Sequence, residues 1–304
     1  MRSFLFVPGD SERKQTKALA SYADALILDL EDSVDLTRLP AARAQVHKLL
    51  QSRPEHRRQQ LWVRVNALSS GLLLDDLAVV MEGTDEHGPD GIVLPKVSHP
   101  AEIDEVAHYL AALEHRGARP IGATRIMVIA AETPRSLLSL QTYFDRVPAS
   151  ATITQRLAAL TWGSEDLRAA LGATDSADHT GALTPAFQLA RTSCLLTATA
   201  LGVQPIDGVH ADFRNKEGLA RDLQNARRDG FTGKLAIHPD QVEAINAAFI
   251  PTEAEIAWAR RIVATFAASP GTGVVSLDGH MVDRPHLMQA QRVMEAAENE
   301  GASG

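Results

Sequence analysis

Short apolar runs recur eight times along this chain, and nearly all of them end in polar or charged residues. Residues 4–7 run into Pro8-Gly9, 25–30 into Glu31-Asp32, and 61–65, which contain Arg64, into Asn66. Residues 91–94 run into Pro95-Lys96, 126–131 into Glu132, and 157–162 into Gly163, Glu165 and Asp166. The seventh, 203–209, carries Asp207 and leads to Asp212, and the eighth, 234–237, ends in His238-Pro239. Runs this short, rich in branched aliphatic residues, suit strands buried on both faces, as in a parallel sheet. Segments 101–115, 183–201 and 218–229 between them carry a helical pattern. Alternation of strand and helix implies parallel pairing, and eight repeats suggest closure, so the pattern predicts an α/β chain folded as a (β/α)8 barrel. A doubly wound open sheet is the alternative; it would gather its ligands at one switch point rather than along all the strand ends.

Beyond the eighth run, residues 239–248 and 253–268 read as helices. Residues 271–285 read as a hairpin turning at Asp278-Gly279, and 286–298 as a last helix. This divides the chain into a barrel over residues 1–250 and an extension over 251–304, suited to covering the barrel mouth or packing on another subunit. Hydrophobic residues make up 45% of the 304, ample for a core of that size. A net charge of −8 without any Lys/Arg block argues against nucleic acid as a partner. The one cysteine, Cys194, allows no disulfide within the chain and no cysteine metal site; it reads as a packed helical residue. The N-terminal apolar stretch is too short for a signal segment and no run reaches membrane-spanning length, so a cytoplasmic location is expected. Neither G-x-G-x-x-G nor G-x-x-x-x-G-K-[ST] occurs, which leaves nucleotide redox and P-loop chemistry without support.

The carboxyl ends of barrel strands are where such folds keep their chemistry. Glu132 taken alone reads equally well as a loop acid. With Asp166 from the neighbouring strand end it becomes a carboxylate pair, which calls for a divalent metal or a shared proton. Two carboxylates without a histidine at ligand spacing suit Mg²⁺ better than zinc. Glu31 and Asp32 are a further acidic pair, placed to orient metal-bound water or a ligand, whereas Asp29 inside its run reads as structural. Arg64 can pair with these acids or stabilise an oxyanion on a substrate. Lys96 has the same choice between an ion pair and an anionic ligand, and His238 between capping a helix and touching a ligand.

Taken in order, SFLFVPGD, LDLEDSV, Ala42-Arg43, VRVN, LPKV, AAETP, WGSEDL, GFTGKLAIHPDQV and DGHMVDRP resemble the citrate lyase β-subunit-like branch of the HpcH/HpaI aldolase superfamily, with its malyl-CoA and citramalyl-CoA lyases. The resemblance runs from Ser3 to about Ala296. It implies a TIM barrel of the phosphoenolpyruvate/pyruvate-binding type, Mg²⁺ dependence and a homotrimer or hexamer. Carried over by position, it implies that Glu132 and Asp166 are metal ligands and that Arg64 contacts the substrate beside them. It further implies that Asp283 acts as acid/base in a neighbouring subunit's site. Phe6, Pro8, Gly9, Arg13, Lys14, Lys96 and His238 lie where the family holds the thioester carrier. The implied reaction cleaves, or forms by Claisen-type condensation, a 3-hydroxyacyl-CoA thioester such as malyl-CoA or citramalyl-CoA, yielding a 2-oxo acid and an acyl-CoA. A citrate lyase β subunit acting on a carrier-protein thioester is the alternative, and a non-catalytic barrel a distant one. His210, Arg214 and Asn215 match no substrate pattern.

Overall fold

A computed structural model describes residues 1–52, 58–83 and 87–301. Eight parallel strands close into a barrel in sequence order. They are β1 (Ser3–Pro8), β2 (Ala25–Asp29), β3 (Gln60–Arg64), β4 (Gly91–Leu94), β5 (Arg125–Ala131), β6 (Leu157–Trp162), β7 (Gln204–Asp207) and β8 (Gly233–Ala236). Each predicted run overlaps one of them, and β1 pairs with β8 to close the ring. The expected (β/α)8 barrel is the architecture, and the alternative open sheet is not.

Alternate residues of the strands fill the interior: Phe4, Ala25, Ile27, Trp62, Val93, Met127, Ile129, Ala159, Ile206 and Leu235 form one buried cluster. The residues between them face the helices, so the strands are apolar on both sides. Trp62 is the bulkiest of the interior group, meeting Phe4 edge-on at 6.4 Å between ring centres. It leaves room for nothing but hydrogen on Gly91, where an added Cβ would fall 2.2 Å from the indole.

Among the described residues, charges buried on the outer side of the barrel have partners of opposite sign. Arg156 and Glu114, both fully buried, meet at 2.6 Å, and Glu114 also takes the Thr124 N–H at 2.7 Å. Asp207 lies beside its register partner Lys234 at 3.2 Å and takes bonds from Arg191 and the Trp162 indole. Burial would raise the Asp207 carboxyl, but Lys234 and Arg191 hold it below the usual range. Between β5 and β6 the register shifts near Ile129 and Ala131. Such bulges re-aim side chains at strand ends, and here the next residue is Glu132.

The chain divides into two compact units, Met1–Asn246 and Ala247–Gly304. In the second, helices Glu253–Ala267 and Arg284–Gly301 accompany an antiparallel hairpin of β9 (Val274–Leu277) and β10 (His280–Asp283). Ala259, Ile262, Val282 and Ala290 form its core. Asp278 and Gly279 both have positive φ, 50° and 78°, as the tight hairpin turn expected from that dipeptide demands. Among the described residues no helix is long and apolar enough to cross a membrane.

Candidate active site

Five neighbouring strand ends of the barrel, β2 to β6, supply the acidic site. β2 ends in Asp29, whose carboxylate accepts the N–H groups of Glu31 at 3.0 Å and Ser33 at 3.2 Å, turning the chain tightly after the strand. β3 ends in Arg64, directly across the ladder from Asp29. Its Nε and Nη2 donate to the two Asp29 oxygens at 2.6 and 2.7 Å. Its Nη1 lies 3.0 Å from Glu31 and 3.5 Å from Asp32, and the guanidinium sits over the Phe6 ring at 4.8 Å. Arg64 therefore does pair with Glu31 and Asp32, but its principal partner is Asp29, whose place inside an apolar run reads as merely structural. Burial would raise Asp29, yet the Arg64 bonds and the N–H donors hold it below the ordinary carboxylate range.

After β4, Lys96 takes a left-handed backbone with φ 55°. Its N–H donates to Glu132 Oε1, and its Nζ contacts Glu31, Asp32 at 3.1 Å and Asp166 at 3.2 Å. Lys96 thus sits among the acids, not free to meet an anion. Glu31 is lifted to about 7, by burial first and by Asp32, against the opposing pull of Arg64 and Lys96.

Glu132 follows β5 and is almost wholly buried. Thr133 then caps the next short helix reciprocally with Ser136, which fixes the chain direction beyond it. Burial, reinforced by Asp166 and Glu31, pushes the Glu132 carboxyl well above its usual range. Gly163, after β6, leaves it space: an added Cβ would lie 3.0 Å from the Glu132 Cβ. Asp166 sits in the first turn of the helix Ser164–Leu171 that follows.

Five carboxylates (Asp29, Glu31, Asp32, Glu132 and Asp166) are gathered around two cations, Arg64 and Lys96. One buried oxygen, Glu31 Oε2, lies near Arg64 yet makes no hydrogen bond. An excess of negative oxygen donors and an unsatisfied carboxylate oxygen fit a hard divalent cation and its water. Among the described residues no three His, Cys, Asp or Glu side chains converge to hold a metal unaided. A Mg²⁺ site built on two carboxylates leaves its other positions to water and substrate.

A cavity of about 620 Å³ opens beside these acids. Of the residues singled out in the sequence, Phe6, Pro8, Arg13, Lys14, Asp32, Arg64, Glu132, Asp166 and His238 line it. Gly9 serves differently: its N–H donates to the Asp29 carbonyl at 2.8 Å, and a Cβ there would meet that oxygen at 2.6 Å. Lys17 also lines the cavity and was missed, although its spacing from Arg13 and Lys14 puts all three on one helical face. Trp162 is a second omission, hidden in the apolar run that forms β6.

His238 takes the capping role and also faces the cavity. It caps the turn Pro239–Gln241, stacks on Phe213 at 4.4 Å, and still lines the cavity. The three unassigned residues after β7 hold the loop: His210 bonds Asp222 at 2.6 Å, Asn215 caps the helix Lys216–Asp229, and Arg214 covers Phe213. Asp283 belongs to the second unit, where His286 Nδ1 lies 2.5 Å from its Oδ1.

The chain is 33% identical over 299 residues to the mitochondrial citramalyl-CoA lyase of Rattus norvegicus, covering 97% of this chain and 86% of that one. It is 34% identical over 302 residues to the citrate lyase subunit beta of Escherichia coli (strain K12), covering 99% and 94%. Among solved structures it superposes on the CitE protein of Mycobacterium tuberculosis in complex with magnesium, acetoacetate and coenzyme A, with a TM-score of 0.73, 29% identity and 98% of each chain covered. Residues 2–239 match the HpcH/HpaI aldolase/citrate lyase description. The chain belongs to the HpcH/HpaI aldolase/citrate lyase family.

Proposed function

We propose that this protein is a Mg²⁺-dependent carbon–carbon lyase acting on a 3-hydroxyacyl-CoA thioester of the malyl-CoA or citramalyl-CoA kind. The observation that carries the reading is the meeting, in one cavity, of Glu132, Asp166 and Arg64 with the cationic face of Arg13, Lys14 and Lys17. The acids are the residues that would hold Mg²⁺, and the cations suit the phosphates of coenzyme A. When bound, Mg²⁺ supplies Lewis-acid polarisation at the keto oxygen of a 2-oxo acid.

The residues then divide the work. In cleavage the substrate hydroxyl proton passes to solvent, its oxygen forms the keto carbonyl of the 2-oxo acid as the carbon–carbon bond breaks, and that bond's electron pair passes to the thioester as an enolate. Arg64, held by Asp29, presents positive charge at a fixed orientation to the oxygen on which that charge develops. Asp283 returns a proton to the α-carbon, and in condensation removes one. In this reading Asp283 serves the site of a neighbouring subunit in a homotrimer or hexamer, with the enzyme in the cytoplasm.

The test is 2-oxo acid release from malyl-CoA and citramalyl-CoA, with Mg²⁺ and then with EDTA. Glyoxylate or pyruvate released only with Mg²⁺ supports the reading. Similarity to the Escherichia coli subunit favours one second reading, a citrate lyase β subunit cleaving a carrier-protein thioester. Silence on every CoA ester with Mg²⁺ bound would favour it. Silence without Mg²⁺ binding would point to a non-catalytic barrel.

A further inference from the structure

Lys96 serves the acidic cluster twice. Its backbone N–H donates to Glu132, and its ammonium reaches Glu31, Asp32 and Asp166 from the same residue. The arrangement depends on a backbone that non-glycine residues rarely adopt, φ 55°, which the surrounding structure must over-determine. Glu132 and Asp166 repel each other as carboxylates, and a cation between the acids offsets that repulsion.

We propose that Lys96 is the built-in counter-cation of this site: it keeps Glu132, Asp166 and Glu31 assembled without a metal, and gives up its hold on Asp166 to an incoming divalent cation. The proposal rests on the Mg²⁺ reading of Glu132 and Asp166. An ammonium that neutralises these acids also repels a second cation. By linkage, whatever Lys96 adds to the metal-free state beyond the loaded one is subtracted from Mg²⁺ affinity by the same factor. Lys96 is therefore a positioning residue whose removal weakens the metal-free fold and tightens the metal.

The experiment is calorimetric titration of the full chain with MgCl₂, paired with thermal unfolding in EDTA and in saturating Mg²⁺. The variants are Lys96→Met and Lys96→Asn; the asparagine tolerates the left-handed backbone, so a folding defect of the first is separated from loss of charge. Both variants are expected to melt below wild type in EDTA, to recover most of that loss in Mg²⁺, and to bind Mg²⁺ at least ~5-fold more tightly. An equal melting loss in EDTA and Mg²⁺ with unchanged affinity would make Lys96 merely structural and overturn the proposal. Weaker Mg²⁺ binding in both variants would overturn it too, since Lys96 would then be building the loaded site. Glu132→Gln is the control for the underlying reading. A wild type that binds no Mg²⁺, or that binds it no better than Glu132→Gln, overturns the metal reading itself and the displacement with it.

Discussion

Asp29 and Arg64 face each other across the β2–β3 ladder and join in a two-point ion pair of 2.6 and 2.7 Å. Both are buried, and the pair locks the guanidinium plane through its Nε edge while Nη1 lies 3.0 Å from Glu31. The arginine is thereby oriented before any substrate arrives, which is the form of preorganisation that costs nothing at the moment of reaction.

Asp29→Asn keeps the shape of the pair and removes the charge. With the lyase reading, it is expected to lower kcat by about 100-fold with a smaller change in KM, as for a misaligned oxyanion donor. Arg64→Lys is expected to do the same, because an ammonium cannot reproduce the fork. Steady-state kinetics on the thioester substrate decide it; a kcat within a few-fold of wild type in Asp29→Asn would show that the pair does not orient Arg64 for catalysis.

Glu31 gives the metal-free protein a pH dependence of definite sign. Its folded pKa, about 7, is raised above the ordinary 4.5, so the folded state binds more protons between those values. The stabilising protonated form is fully present below about 4.5 and is lost as pH rises through about 7. Glu31→Gln mimics the protonated form at every pH and is expected to remove that pH-dependent loss, on the order of 3 kcal/mol. Urea melts in EDTA across this range check it: the gap between Glu31→Gln and wild type must widen in favour of the variant as pH rises.

Far from the acids, Glu114 and Arg156 are fully buried and paired. Glu114→Gln leaves the Arg156 charge uncompensated and is expected to cost about 3–5 kcal/mol of stability. Mg²⁺ affinity of the folded protein should not move. A loss of affinity measured by titration would mean that this pair reaches the site through the barrel.

In the second unit, the His286 hydrogen bond holds the Asp283 carboxyl below its usual range. Removing the imidazole in His286→Ala should let that carboxyl rise toward the ordinary value, followed by NMR titration of labelled aspartate in the full chain. If Asp283 is the acid/base, the acid limb of kcat/KM for condensation, where it removes a proton, moves to higher pH with it, and Asp283→Asn loses activity by about 100-fold or more. A carboxyl that moves while the activity profile stays in place would remove Asp283 from the reaction.

Much of this was legible along the chain because the two sides of a barrel strand are both buried. Each strand is written as an unbroken apolar run, and the first polar residue after it marks the end where chemistry gathers. That is why Glu132 and Asp166 could be singled out, and why the Asp278-Gly279 turn was readable from two residues. Lys17 was within reach of the same reasoning, since it shares a helical face with Arg13 and Lys14.

The amino-acid order by itself determined the eight strands, their helices and the identity of the acids at the mouth, because periodicity and burial are local properties. Only the tertiary structure decided which acid meets which cation. Asp29 and Arg64 are 35 residues apart and Lys96 and Glu31 are 65 apart. Their meeting depends on strand register, on the closure of the ring, and on a left-handed backbone at Lys96 that nothing in its neighbours announces. Charges choose partners by distance in space, and the chain's order does not state that distance until the barrel has closed.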